Sequence, residues 1–215
     1  IVEYANSIQN RSQPYQNEMV KLSLECLQNF FISNVRNFHN FQTEHPDEIE
    51  KIQQSQSNCL SEFLKIAPIF NFFISNNTMT FDVKLHAFRC WSNCLSITPI
   101  FSQEPIDNSI DSLILSDFYH FYHKLSTIEQ KLDLFDTAVR PIELKAIDVS
   151  YSVHLLIYNH FTSSTKTTDL LVQKVKQFWK RIVNYRLQST YLYDALQMAL
   201  SVNNLDLKSV AKFFI

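Results

Sequence analysis

Residues 80–96 read TFDVKLHAFRCWSNCLS, and within them Val83, Ala87, Trp91 and Leu95 recur at four-residue steps. Apolar side chains at that spacing share one face of an α-helix, whereas a half-buried strand needs alternation at every second residue. Thr80 stands just before the first periodic position, where a hydroxyl side chain favours an N-cap. The stretch predicts a helix from about Phe81 to Ser96 with one buried edge.

The same spacing continues in both directions. After Pro14, residues 16–39 place Leu22, Cys26 and Phe30 on one line and Leu24, Leu27, Phe31 and Val35 beside it, a face wide enough for more than one neighbouring helix. His45-Pro46-Asp47-Glu48 opens the next helix, with proline and acids in the first turn. Ile49, Ile52, Cys59, Phe63 and Ile66 form its apolar face, and Pro68 is expected to kink or end it. Pro99 and Pro105 bracket a loop, and a Phe- and Tyr-rich helix runs from about Asn108 to Lys124. Ser126-Thr127-Ile128-Glu129 reads as a capping box that opens a helix with Ile128, Leu132, Phe135 and Val139 inward. Pro141 is expected to restart the chain into a helix reaching about Phe161. Beyond a polar linker at 162–168, another helix buries Leu171, Val175, Phe178 and Ile182, and shorter helices follow near 191–202 and 206–215. No segment sustains a period of two, so the class is all-α.

The expected architecture is an irregular α-solenoid of stacked helices, with a compact helical bundle as the alternative. Val20-Lys21-Leu22 recurs 63 residues later as Val83-Lys84-Leu85, and Cys26 to Asn29 matches Cys90 to Asn93 at a separation of 64. That period exceeds the ~34–47 residues of common helical repeats, so either the helices are long or the match is an accident of composition. The segment Ala87 to Leu95 resembles the inner helix of HEAT and armadillo repeats, where small and large apolar residues alternate; the resemblance covers under a tenth of the 215 residues. It implies helices stacked in layers. Residues 1–215 are read as a single helical region. The start at Ile1 and the apolar ending at 210–215 lead us to expect a piece of a longer helical-repeat protein.

The chain has no glycine. Phosphate-cradling loops, dinucleotide-binding turns and the nucleophile elbow all use glycine, so those enzyme classes are excluded. Positions needing positive φ should fall to Asn, Asp or Ser, with Asn76-Asn77 and Asn203-Asn204 as turn sites. A net charge of -2 creates no global field for nucleic acid or an acidic membrane. No apolar run reaches the ~18–20 residues of a membrane span. All four cysteines sit within apolar helical patterns and read as reduced, buried thiols, which points to an intracellular protein of cytoplasm or nucleus.

Three clusters carry groups capable of chemistry or recognition. His86, Cys90 and Cys94 line one helix but span roughly 12 Å, too far to close on one ion, so packing is the expected role. Asp117, His120 and His123 alternate with aromatics; the stretch reads as ordinary packing or as an interaction surface carried by Phe118, Tyr119 and Tyr122, with a metal site the remoter reading. Lys174, Lys176, Lys180, Arg181 and Arg186 concentrate positive charge on a helix at 169–187. No catalytic residue, cofactor, metal site or small-molecule substrate is expected. The function expected is a non-catalytic protein–protein interaction scaffold or a subunit of an intracellular complex. The alternatives are a nucleic-acid-binding module using the basic helix and a helical regulator of a GTPase-type switch.

Overall fold

The computed structural model describes residues 13–102, 118, 120–148, 173–174, 177–178 and 180–181. Every regular element among them is helical: α1 (Gln13–Glu44), α2 (Ile49–Ser75), α3 (Phe81–Ser96), a 3₁₀ turn (Thr98–Ile100) and α4 (Ile128–Glu143). Residues 118 and 120–124 are also helical, as are those described between 173 and 181. The linker at 162–168, the expected helices at 191–202 and 206–215, the Asn203-Asn204 turn and the stretch 149–161 lie outside the described residues.

α1 outruns its expected ends because nothing between His39 and Glu44 breaks a helix, and it stops where the next proline, Pro46, disfavours helical backbone in the residue before it. α3 begins where expected, after Thr80 in extended conformation. Val83, Ala87, Trp91 and Leu95 are all buried, together with much of the rest of α3, which packs against α1, α2 and α4. At its centre the Trp91 ring stacks on Phe63 and Phe70 of α2, with centroids 5.1 and 5.6 Å away. Phe63 also meets Phe31 of α1 at 5.8 Å, so one aromatic cluster joins three helices.

The contacts fix the helix directions. Glu25, Gln28 and Phe31 of α1 meet His86, Asn93 and Phe101 in the same chain order, so α1 and α3 run parallel. Arg89 and Ser92 of α3 meet Asp133 and Thr137 of α4 in the same order, so α3 and α4 also run parallel. α2 is antiparallel to α3, since Phe70 and Phe63 approach Trp91 while Gln56 donates to the Phe101 carbonyl at 2.7 Å. The segment at 120–124 returns along α3: Phe121 packs on Phe81 and Phe88, and the Lys124 ammonium lies over the Phe81 ring. The Gln28–Asn93 contact spans 65 residues, close to the 63 and 64 of the sequence match, whereas Arg89–Asp133 spans 44. The unequal steps follow from 32 residues in α1 and 27 in α2 against 16 in each of α3 and α4.

Two prolines correct the expected boundaries. α2 does not end at Pro68; it runs through to Ser75. Proline removes the N–H that would bond the Leu64 carbonyl, but Leu64 and Pro68 are exposed and water can fill that role. Pro141 does not restart a helix either: it sits inside the last turns of α4 and is buried. The carbonyl it deprives is that of Thr137, and the buried Ser92 hydroxyl of α3 donates to that same oxygen. The missing helical bond is thereby converted into a tertiary one.

α4 then closes with the Ala146 N–H donating to the Pro141 carbonyl at 2.8 Å and the Lys145 N–H to that of Ile142 at 3.0 Å, the bond pattern of a Schellman cap. The left-handed residue this motif requires is Lys145, at φ 62°, the sole positive φ among the described residues. Asn76 was the expected candidate but holds φ at −70° and shapes its turn through its side chain, whose Oδ1 accepts from the Thr78 N–H and hydroxyl. The capping box of α4 exists one residue later than expected: Thr127 is the N-cap, paired reciprocally with Gln130 rather than Ser126 with Glu129.

Candidate interaction surface

The aromatic segment falls largely inside. Phe118 is 1% exposed and Tyr122 8%, their rings stacked at 6.0 Å, and the Lys131 ammonium sits over the Tyr122 ring. These two side chains pack the protein rather than face a partner; Tyr119 lies outside the described residues. His120 and His123 are exposed, Asp117 is outside the described residues, and desolvation together with the nearby Lys124 and Lys84 lowers the His120 pKa. Protonation of that imidazole is therefore disfavoured.

The basic helix is partly neutralised by α4. Lys174 pairs with Asp136 and Arg181 with Glu143 at 2.9 Å, while Phe178 packs edge-on against Phe135 at 5.8 Å. Lys180 is exposed, and Lys176 and Arg186 are outside the described residues. Two of the five cations thus hold the helix onto α4.

Cys59, Cys90 and Cys94 are buried free thiols, as read from the sequence, but Cys26 is exposed. Burial, reinforced by the Glu25 charge, pushes the Cys90 thiol up to about 12, and burial raises Cys94 as well. His86 stands 3.2 Å from a Glu25 oxygen without hydrogen-bond geometry, and burial outweighs that carboxylate to lower its pKa. Thiols that resist ionisation and an imidazole engaged with α1 fit packing. Among the described residues no group of three His, Cys, Asp or Glu is placed to hold a metal.

A groove of about 370 Å³ opens between α1 and α2, rimmed by Asn34, Asn37, Ser55 and Glu62 over Phe38 and Phe41. Cys59 also lines it, its pKa raised by burial and then by Glu62. Glu62 raises rather than lowers the Cys59 pKa, so this neighbour disfavours a thiolate in the groove.

What the surface does carry is apolar. On α2, Leu60, Leu64, Pro68 and Phe72 are exposed at four-residue steps and form one row, with Leu64 54% exposed. On α1, Leu22 and Phe30 are 54% and 55% exposed with the exposed Cys26 between them. The α1 row belongs to the face expected to contact more than one neighbouring helix, with Cys26 expected to be buried; the α2 row was not expected. The signal is the repeat 60, 64, 68, 72, interrupted by a proline expected to kink or end the helix. No helix among the described residues is long and apolar enough to cross a membrane. Comparison with protein-family models, curated proteins and solved structures finds no match for the chain.

Proposed function

We propose that this chain is a non-catalytic protein-interaction module of the irregular α-solenoid kind, working inside the cell as a scaffold or complex subunit. The observation that carries the reading is the exposed α2 row of Leu60, Leu64, Pro68 and Phe72. Leu60, Leu64 and Phe72 keep 38%, 54% and 41% of their surface exposed, and exposed apolar rows of this kind mark docking surfaces. The layered order supports the solenoid form: α1, α3 and α4 run parallel in sequence order, and α4 packs chiefly on α3. Four free cysteines suit a reducing compartment. The raised thiol pKa values at Cys59, Cys90 and Cys94 suit packing rather than nucleophilic catalysis.

The test is affinity capture from nuclease-treated cell extract with the unaltered chain, Leu64→Asp and Lys180→Glu side by side. A stoichiometric protein retained by the unaltered chain and by Lys180→Glu but lost with Leu64→Asp supports the proposal. Recovery indifferent to Leu64→Asp, or abolished by nuclease, contradicts it. Because Leu64 is exposed, the aspartate variant should keep its helical circular dichroism.

A further inference from the structure

Lys21, Lys51, Lys65, Arg89, Lys174 and Arg181 each stand against a carboxylate. Lys84 and Lys124 have no such partner among the described residues, and the fold brings them to one place. Phe121 packs on Phe81 at 5.8 Å and on Phe88 at 5.5 Å, so it lies over the turns of α3 between those two rings. Lys84 occupies these turns, three residues after Phe81 and four before Phe88, on the same side of the helix. Across from it, His120 and Lys124 are one turn apart, and the Lys124 ammonium is held over the Phe81 ring, 5.6 Å from its centroid. The antiparallel packing thus brackets Lys84 between His120 and Lys124. The electrostatics agree: after desolvation, the charges that lower the His120 pKa are those of Lys124 and Lys84. Asp82, the acid nearest to Lys84 in sequence, exerts its charge on Lys21 of α1.

We propose that Lys84, His120 and Lys124 form a binding site for a phosphoryl group. Two ammonium groups match its two negative charges, and lysine binds phosphate as a point charge. The contact with Phe81 keeps one of these ammoniums in place. A neutral His120 still has one ring N–H to donate to a phosphoryl oxygen. Cations gathered without a carboxylate repel one another, and a bound dianion relieves that repulsion. The site belongs to α3 and the 120–124 segment. It does not rest on the α2 row, and it adds a ligand to the protein rather than a second docking face.

The experiment follows the His120 ring protons of the full chain by NMR while inorganic phosphate is added at about pH 8, where it is a dianion. Ionic strength is held constant with chloride, so that screening alone moves nothing. A saturable shift is expected, with a dissociation constant on the order of 1 mM. Lys84→Gln and Lys124→Gln should each weaken binding about fivefold. Lys84→Arg should retain it, which separates lost charge from lost fold. Lys180→Gln, which removes an exposed cation elsewhere, should leave it unchanged, as should Leu64→Asp on the α2 row. An alanine-flanked phosphoserine tripeptide distinguishes the sources: binding about tenfold tighter than phosphate identifies a phosphorylated protein, and equal binding identifies a free phosphate. The proposal is overturned by the absence of a saturable shift up to about 50 mM phosphate, or by binding undiminished in both glutamine variants.

Discussion

Replacing Ser92 by alanine should cost about 1–2 kcal/mol, and that cost should depend on Pro141. Ser92 is 2% exposed, and its hydroxyl bonds the Thr137 carbonyl that Pro141 has deprived of a helical donor. Leaving a buried acceptor unpaired costs about 1–3 kcal/mol; Thr137 is half-buried, so partial access of water places the expected value in the lower part of that range. In a Pro141→Ala background the restored N–H at 141 can bond the same carbonyl, and Ser92→Ala should then cost about 0.5 kcal/mol. The coupling between the two positions is thus about 1 kcal/mol and positive. Guanidinium denaturation of the four proteins of the cycle, followed by circular dichroism, reads it directly. Equal costs of Ser92→Ala in both backgrounds would refute the reasoning, because the hydroxyl would then not be substituting for the missing helical bond.

Four further outcomes are expected. Lys145→Gly should raise stability by about 1 kcal/mol, since φ 62° strains any side chain bearing Cβ and glycine removes that strain; Lys145→Val should lower stability in the same denaturation assay. In native protein a maleimide should modify Cys26 and spare Cys59, Cys90 and Cys94 until unfolding, with peptide mapping as the readout. The buried thiols also set an alkaline limit. Cys90 ionises near 9 when unfolded but is pushed to about 12 when folded, so its contribution is complete below 9 and is lost as pH rises from 9 towards 12; Cys90→Ala should flatten the stability profile across that window. Finally, Thr127→Ala should cost about 1 kcal/mol by removing the capping hydroxyl from the Gln130 N–H.

The helical class and the buried edge of α3 were legible because periodicity reports burial directly, and Val83, Ala87, Trp91 and Leu95 all lie where it placed them. Local rules failed where a distant group supplied what a residue lacked. Pro141 looked like a helix start because a sequence window cannot show Ser92 offering its hydroxyl from another helix. Positive φ fell to Lys145 because the Schellman bonds and the burial of Ala146 and Pro141 outweigh the preference for Asn. Phe118 and Tyr122 looked equally suited to core and surface, since an aromatic helix carries no mark of which neighbours it will meet. Lys174 and Arg181 read as free charge because their carboxylate partners, Asp136 and Glu143, lie 38 residues earlier in each case.

The central claim, that exposed apolar rows rather than charge or chemistry carry this protein's function, is tested most directly by hydroxyl-radical footprinting of the chain with and without the protein it captures. The account predicts protection of Leu60, Leu64 and Phe72, with Lys180 and the rim of the α1–α2 groove unchanged. Protection concentrated at Lys180 or at Asn34, Asn37 and Phe41, with the α2 row as reactive as in the free chain, would contradict it.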